Sequence, residues 1–269
     1  MKYKLICSDL DDTLLRSDGT LSTEVKSAIK KFENAGGKFC MVTGRMTVGA
    51  IPMAKELNLH GEIITYQGAV VSDIDSGEIL YSATIPYEDA VKIGKFTESL
   101  GVYYQTYIGN KFYTKEATEA TKLYKKLTKA DYEETEIELS KYIEFNKISP
   151  PKIMIIAEVE NVPIILRKMN NEFGDKYLIN TSKPFLIEII PQGVSKGVAV
   201  KNLAEKYGIK REEIVCIGDS DNDLTMLSYA GLSVCVNNGS ENAKKEADLI
   251  APSADDDGVA WTINEIVLK

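Results

Sequence analysis

The segment KLICSDLDDT, residues 4–13, decides the fold class because it joins a buried strand to a group of acids. Its first half is short and continuously apolar, which is typical of a strand covered on both faces of a parallel sheet. Three carboxylates follow within four positions, at Asp9, Asp11 and Asp12. Ligands of open parallel sheets bind at the carboxyl ends of the strands. The segment therefore predicts a strand and a candidate ligand site directly after it.

Apolar runs and helical stretches alternate outward from this segment, which indicates an α/β domain. Ser22 can cap a helix that continues to about Asn34, where Gly36-Gly37 ends it. The N-terminal part then predicts a strand at Lys38–Val42, a helix at Val48–Leu57, a third run at Glu62–Tyr66, and a hairpin of Ala69–Ile74 with Glu78–Ile85. The C-terminal part repeats the pattern, with helices near Lys196–Tyr207 and Asn222–Tyr229, apolar runs at Glu213–Ile217, Leu232–Val236 and Asp248–Ala251, and a closing helix to about Val267.

The middle of the chain follows a different order, in which a helix and two strands occur twice. The predicted elements are a helix at Tyr87–Leu100 with strands Val102–Ile108 and Lys111–Thr114, and a helix at Val162–Phe173 with strands Tyr177–Thr181 and Phe185–Ile190. The Lys- and Glu-rich stretch 116–149 between them is predicted to be helical and exposed. We expect residues 1–85 and 192–269 to form one α/β core domain, and residues 86–191 to form an inserted α+β domain.

A second acidic cluster, GDSDND at residues 218–223, also comes directly after an apolar run. Its Asp-x-Asp-x-Asp pattern opens a calcium-binding EF-hand loop, but Leu224 stands where that loop needs glycine and Ala230 where it needs glutamate. A helix N-cap cluster and an acidic turn remain the alternatives for the two acidic segments. Two such clusters at two strand ends favour a shared site for Mg²⁺, which prefers oxygen ligands.

Weaker signals lie between these clusters. Thr43 offers a hydroxyl, Gly44 lets a backbone N–H approach an anion closely, and Lys196 is a point charge suited to a phosphate. His60 is the one histidine of the chain and lies in a predicted loop. A Ser-His-Asp triad, a Cys-His pair and a histidine-rich zinc site are therefore not expected.

Composition limits the partners of the chain. The net charge of -8 argues against nucleic-acid binding, which relies on Lys and Arg to neutralise phosphates. The four cysteines, Cys7, Cys40, Cys216 and Cys235, lie in apolar runs without a CxxC spacing, which favours buried thiols in a reducing cytoplasm over two disulfides. No apolar run approaches the roughly 20 residues that span a bilayer, so no membrane partner is expected.

Four motifs in order, DLDDT, VTGR, VSKG and GDSDND, resemble those of the haloacid dehalogenase (HAD) superfamily. The resemblance runs essentially end to end, includes FLIEIIPQGVSKG at residues 185–197, and is to the Cof-type sugar-phosphatase subfamily with a C2-type cap. It implies a Rossmann-like parallel-sheet core with an inserted α+β cap that closes over the active site.

The resemblance also implies a role for each motif residue. Asp9 would be the nucleophile and Asp11 the general acid and base. Mg²⁺ would be held by Asp9, the backbone carbonyl of Asp11, and Asp219, with Asp223 orienting these ligands. The phosphoryl group would contact the backbone N–H of Leu10 and the residues Thr43, Gly44, Lys196 and Asn222.

Two residues depart from the subfamily pattern. Asp12 stands where glycine is frequent, and Gln67, in the sequence Tyr66-Gln-Gly68, stands where asparagine is usual. Gln67 lies near the expected hinge of the cap, where it would alter substrate contacts. Neither position belongs to the implied nucleophile, acid or metal ligands.

The expected function is hydrolysis of small phosphorylated metabolites, such as sugar phosphates, through a phospho-aspartate and with Mg²⁺ as cofactor. Two alternatives remain open, a sugar phosphomutase and a non-catalytic sensor of a phosphorylated metabolite. The substrate is not specified by the motifs, because a fold and a family say little about substrate. A monomer or weak homodimer is expected.

Overall fold

The computed structural model describes residues 1–128 and 130–269, which form two compact units. The first unit contains Met1–Gly44, Ala50–Leu80 and Ser195–Lys269, and the second contains Arg45–Gly49 and Tyr81–Val194. The functional assignment of residues 1–85 and 192–269 as a core, and of 86–191 as a cap, stays a prediction.

The strands and α-helices are numbered here in chain order. The strands are β1 (Leu5–Ser8), β2 (Lys38–Met41), β3 (Glu62–Thr65), β4 (Val70–Asp73), β5 (Ile79–Ser82), β6 (Tyr103–Ile108), β7 (Lys111–Thr114), β8 (Asp131–Glu134), β9 (Ile153–Ile156), β10 (Tyr177–Lys183), β11 (Leu186–Pro191), β12 (Ile214–Gly218), β13 (Leu232–Val236) and β14 (Leu249–Ala251). The helices are α1 (Thr23–Asn34), α2 (Thr47–Glu56), α3 (Tyr87–Ser99), α4 (Glu119–Thr128), α5 (Leu139–Asn146), α6 (Val162–Phe173), α7 (Lys196–Tyr207), α8 (Leu224–Tyr229), α9 (Glu241–Glu246) and α10 (Gly258–Trp261). Within the two described ranges, no helix has the length and apolar character that a membrane crossing requires.

Five parallel strands form the central sheet of the first unit, in the order β14-β13-β12-β1-β2. β1 lies between β12 and β2, so that Cys7 is in register with Cys216 on one side and Cys40 on the other. Ile6 packs into one hydrophobic core and Leu5 into another. Because successive side chains of a strand point to opposite faces, both faces of β1 are buried, as its continuous apolar run predicted.

Side-chain caps hold the N-termini of α1 and α7 in this unit. The Ser22 hydroxyl accepts a hydrogen bond from the backbone N–H of Val25 at 3.0 Å, and the predicted helix from Ser22 to Asn34 is confirmed. Ser195 caps α7 in the same way by accepting from Val198 at 3.2 Å. These caps satisfy backbone N–H groups that have no partner inside the helix. All four cysteines are buried free thiols, which agrees with the prediction against disulfides.

The third apolar run, Glu62–Tyr66, was expected to join the parallel sheet, but its main partner is a different strand. β3 pairs antiparallel with β4, and β5 completes this small sheet as the predicted hairpin. Its link toward the parallel sheet is a single parallel bridge between Val42 and Ile64. The run is fully buried, so its sequence resembles that of a central parallel strand although its main partner is antiparallel.

A six-stranded, mainly antiparallel sheet, with the order β10-β11-β9-β6-β7-β8, forms the centre of the second unit. The predicted repeat of helix, strand and strand is confirmed, as α3-β6-β7 and as α6-β10-β11. Alternate residues of the central strands, including Ile153, Ile155, Ile187 and Ile189, pack in the core of this unit. Lys152 and Glu188 point to the opposite face of the sheet and form a buried ion pair at 2.8 Å.

Two strands of this sheet differ from the prediction. The stretch 116–149 was expected to be helical, but β8 lies within it and pairs in parallel with β7. β8 has the sequence DYEE and is mainly exposed, so it carries no hydrophobic alternation that would mark a strand. β9, with the sequence IMII, was not predicted and lies near the middle of the sheet.

Candidate active site

The segments after β1 and β2 leave the parallel sheet at the same edge. The backbone N–H of Asp9 donates to the carbonyl of Ile217 at 2.9 Å, and that of Val42 donates to the carbonyl of Ser8 at 2.9 Å. The hydrogen-bond ladder therefore extends one residue past each of these strands. Asp9, Thr43 and Asp219 consequently follow three neighbouring strand ends, where ligands of such sheets bind.

The ammonium of Lys196 joins the segment after β1 to the segment after β12. Its Nζ donates to Asp9 Oδ1 at 2.5 Å, to Asp223 Oδ1 at 2.6 Å and to Asn222 Oδ1 at 3.4 Å. Lys196 is the first residue of α7, and the Ser195 cap fixes its backbone. The Lys196 side chain is 0% exposed. A fully buried lysine is rare unless it is paired, so these contacts define the centre of the site.

The loop after β12 is folded around the carboxylate of Asp223. Asp223 Oδ2 accepts hydrogen bonds from the backbone N–H groups of Asp219 and Ser220, both at 3.0 Å. A Cβ added at Gly218 would lie 2.7 Å from the Asp223 side chain, so glycine permits this close approach. Asp223 thus binds the loop with one oxygen and Lys196 with the other.

Thr13 is a site residue to which the sequence reasoning assigned no role. Its hydroxyl donates to Asp219 Oδ1 at 2.8 Å, and the residue is 1% exposed. The backbone carbonyl of Asp219 also accepts from the N–H of Ser240 at 2.7 Å. These two contacts fix the position of the Asp219 carboxylate. The signal that could have found Thr13 is its place at the end of the motif DLDDT.

Three carboxylates cluster at this point, and the ammonium of Lys196 binds two of them. The carboxylate oxygens of Asp9, Asp219 and Asp223 that could bind an ion all lie within 4.8 Å of one another. Burial raises the pKa of Asp219 to about 6, with the charge of Asp223 adding to it and the Thr13 hydrogen bond opposing it. Burial also raises the pKa of Asp9. The charge of Lys196 opposes this shift, and the negative charges of Asp223, Asp219 and Asp11 add to it.

The donor atoms of this cluster fit a divalent cation. All three groups are carboxylates, and hard cations such as Mg²⁺ and Ca²⁺ take oxygen ligands. A bound cation would also compensate the negative charge that raises these pKa values. The predicted ligands were Asp9, the carbonyl of Asp11, and Asp219, and the structure places Asp223 within the same cluster. Which of them bind an ion stays a prediction.

A residue from the C-terminal part of the unit holds the turn that contains Leu10, Asp11 and Asp12. Asn238 Nδ2 donates to the carbonyl of Asp12 at 2.7 Å, and the N–H of Ala254 donates to Asn238 Oδ1 at 2.8 Å. Asp12 has a φ of 58°, in the left-handed region. Glycine adopts this region most readily and aspartate tolerates it, which explains how Asp12 can replace the frequent glycine.

Thr43 and Gly44 follow β2 beside the turn after β3. The N–H of Thr43 donates to the carbonyl of Ile64 at 2.9 Å, and the carbonyl of Thr43 accepts from the N–H of Gln67 at 3.1 Å. Thr43 is 1% exposed. Both sides of the Thr43 backbone are therefore held by the segment that contains Gln67.

A family model described as haloacid dehalogenase-like hydrolase matches residues 6–263 of the chain. The chain belongs to this family. The match confirms the assignment made from the four motifs, including the Cof-type group, and makes the protein an enzyme of the hydrolase class.

Two curated relatives and one solved structure match this hydrolase over nearly their full lengths. The Bacillus subtilis protein named "Putative phosphatase YxeH" is 32% identical over 272 residues, which cover 99% of each chain. The 5-amino-6-(5-phospho-D-ribitylamino)uracil phosphatase YwtE, also from Bacillus subtilis, is 28% identical. The match covers 98% of each chain. A haloacid dehalogenase-like hydrolase from Bacteroides thetaiotaomicron superposes with a TM-score of 0.89 at 30% identity, over 98% of this chain and 100% of its own. The predicted fold class is confirmed.

In this hydrolase, five of the predicted site residues form one hydrogen-bonded group: Asp9, Lys196, Asp219, Asn222 and Asp223. Asp11 lies half-buried in the turn after β1, and its charge acts on Asp9. Leu10 is buried, and its carbonyl accepts from the N–H groups of Leu14 and Leu15. The roles of these residues toward a phosphoryl group stay predictions.

Proposed function

We propose that the protein is a Mg²⁺-dependent phosphatase that hydrolyses small phosphomonoesters through a phospho-aspartate on Asp9. The observation that carries this proposal is the buried ammonium of Lys196, which binds Asp9 and Asp223 beside the carboxylate of Asp219. Phosphoryl transfer needs a positioned nucleophile and cations that compensate the charge of the phosphoryl oxygens. This arrangement provides an anionic nucleophile, a fixed positive charge and a set of carboxylates suited to a metal.

The proposed reaction has two steps on the chain's own residues. A carboxylate oxygen of Asp9 attacks phosphorus, the bond from phosphorus to the leaving alcohol breaks, and the alcohol takes a proton from Asp11. Water then attacks the phosphorus of the aspartyl phosphate and gives a proton to Asp11, and the bond from phosphorus to Asp9 breaks. One group acting first as acid and then as base is common in covalent catalysis.

The phosphoryl oxygens require donors as well. Lys196 is already hydrogen-bonded to the proposed nucleophile, Asp9. The Thr43 hydroxyl and the Gly44 N–H follow β2, the strand next to β1. Asn222 and the backbone N–H of Leu10 complete the proposed binding set. Asp9, Asp219 and the Asp11 carbonyl would hold Mg²⁺, with Asp223 in support. When bound there, the ion supplies charge neutralisation between the carboxylate and the substrate.

The substrate class follows from the relatives and is proposed at the level of small phosphorylated metabolites. The matched YwtE protein is named for a phosphorylated ribityl compound, and YxeH is named only as a phosphatase. Sugar phosphates and phosphorylated ribityl compounds therefore form the first panel to test.

The experiment measures phosphate release from this panel with Mg²⁺ or with EDTA, in wild type and in Asp9→Asn. We expect Mg²⁺-dependent release by wild type and a fall of at least about 10³-fold in Asp9→Asn, because the nucleophile is lost. Asp175→Asn is the matched control, since it removes one carboxylate from an exposed residue after α6. Quenched wild type should also carry one phosphoryl group on Asp9, as read by peptide mass.

Three results would contradict the proposal. Full activity in Asp9→Asn would exclude the phospho-aspartate route. An isomerised sugar phosphate with little free phosphate would indicate a mutase. Tight binding of a panel compound without turnover in Mg²⁺ would indicate a sensor.

A further inference from the structure

The turn Tyr66–Gly68 after β3 has an unusual backbone. Tyr66, Gln67 and Gly68 have φ values of 52°, 60° and 100°, so three successive residues lie in the left-handed region. Two of them are not glycine, and such residues enter this region only where their surroundings hold them there. The surroundings of this turn therefore explain why it persists.

Two segments of the proposed phosphate site hold the turn. The N–H of Gln67 donates to the carbonyl of Thr43 at 3.1 Å. On the other side, a Cβ added at Gly68 would lie 2.4 Å from the carbonyl oxygen of Ser195, the residue before Lys196. The turn thus packs between the Thr43–Gly44 segment and the start of α7.

The side chain of Gln67 packs directly on Gly44. A Cβ added at Gly44 would lie 2.4 Å from Gln67 Nε2 and 2.9 Å from Gln67 Cδ. Gly44 is not among the residues with positive φ, so the contact with Gln67, and not a left-handed backbone, is what distinguishes this position. A side chain at position 44 would force the carboxamide of Gln67 or the Gly44 backbone to shift. Gln67 is only 5% exposed, so the carboxamide has little room to move away.

We infer that Gln67 is a positioning residue that fixes the Thr43–Gly44 peptide for phosphoryl binding, with Gly44 as its steric partner. This inference rests on the proposed phosphatase function. The Gly44 N–H can serve a phosphoryl group only in one orientation of the Thr43–Gly44 peptide. Gln67 restrains that peptide twice, by its backbone hydrogen bond to Thr43 and by its side chain against Gly44.

A double-mutant cycle tests the inference with Gly44→Ala, Gln67→Ala and the double variant, assayed with p-nitrophenyl phosphate and Mg²⁺. Gly44→Ala keeps the backbone N–H but forces Gln67 or the peptide to move, so kcat/KM should fall by about 100-fold. Gln67→Ala should lower kcat/KM by about tenfold and weaken inhibition by orthovanadate, a phosphoryl mimic, to a similar extent. In the double variant the added methyl group occupies the vacated space, so it should be about tenfold more active than Gly44→Ala.

Gln192→Ala is the matched control, because it removes an exposed amide that donates to the carbonyls of Gly174 and Asp175. It should leave kcat/KM and vanadate inhibition unchanged. Losses that multiply in the double variant, or a Gln67→Ala variant with wild-type vanadate inhibition, would overturn the inference. If Gly44→Ala does not fold, the vanadate result for Gln67→Ala decides alone. An inert wild type would instead overturn the proposed function.

Discussion

Two buried lysines, one in each unit, have different surroundings. Lys152 lies 2.8 Å from Glu188, and its Nζ is 5.2 Å from the ring centre of Tyr107. Lys196 donates to Asp9 and Asp223, and the carboxylate of Asp219 belongs to the same cluster. One ammonium therefore pairs with a carboxylate beside an aromatic ring, and the other pairs with two carboxylates of a cluster of three.

The pair Lys152–Glu188 balances its own charge. The cluster at Lys196 has more negative than positive charge, so a bound cation would stabilise it. Burying a charge is unfavourable, and an ion pair offsets that cost only when its geometry is good. Burial raises the pKa values of Asp9 and Asp219, and repulsion among the three neighbouring carboxylates raises them further. Perturbed pKa values of this kind are frequent at functional sites.

The largest effect is expected from Lys196→Met. It leaves Asp9 and Asp223 buried without their ammonium, so the free energy of unfolding at pH 7 should fall by about 3–5 kcal/mol. Activity should fall by about 10²–10³-fold, because one donor to the phosphoryl group is lost. Urea unfolding and steady-state assays measure both. Lys201→Met, an exposed lysine on the same helix, should change neither, and equal effects in the two variants would remove the distinction between them.

The second buried lysine should affect stability in a different way. Lys152→Met alone leaves Glu188 buried, and the free energy of unfolding should fall by about 3–5 kcal/mol. Adding Glu188→Leu removes the second charge and should recover most of that loss. The exposed pair Lys111–Glu133 in the same sheet is the control, since Lys111→Met should leave the free energy of unfolding nearly unchanged. A double variant as unstable as Lys152→Met would contradict this account of the pair.

The raised pKa of Asp219 predicts a pH effect in EDTA. Between its unfolded pKa near 4 and its folded pKa of about 6, the folded state binds a proton that the unfolded state has released. The stability that this proton contributes is present at low pH and is lost as the pH rises through about 6. Wild type should therefore lose about 2 kcal/mol more than Asp219→Asn between pH 4 and 7. With saturating Mg²⁺ the difference should vanish, and an unchanged difference would argue against a metal at Asp219.

The smallest effect is expected from Thr13→Val. This change removes the hydrogen bond to Asp219 but keeps the shape of the side chain. Groups that orient metal ligands contribute about 10–100-fold in affinity, so Mg²⁺ binding by titration calorimetry should weaken by that factor. Thr23→Val, at an exposed threonine, provides the control. Unchanged Mg²⁺ affinity would mean that Thr13 has no part in holding Asp219.

The strand ends of the site were predictable because parallel strands bring their carboxyl ends to one edge. The apolar runs before Asp9, Thr43 and Asp219 were sufficient to place these residues together. The hydrogen bond from Thr13 to Asp219 was not predictable, since it joins residues 206 positions apart and depends on the register of β1 with β12. The left-handed turn at Gln67 was also missed, because a non-glycine residue gives no signal for it.

The missed strands show where local sequence fails. β8 is an edge strand with mainly exposed polar residues, so only its pairing with β7 defines it. The run IMII of β9 is too short to be distinguished from part of a buried helix by its apolar residues alone. Both depend on partners distant in sequence. The helices with clear caps, such as α1 after Ser22, needed no such information.

The central position of β1 has a consequence for synthesis of the chain. β1 has its partner β2 nearby in the sequence, but its other partner β12 begins only at Ile214. At about 5–20 residues per second, the first strand waits roughly 10–40 s for that partner. The second unit is nearly continuous in sequence, from Tyr81 to Val194, and can fold during this delay. Ribosome-bound chains that stop before Ile214 should therefore leave β1 open to proteases, whereas longer ones should protect it.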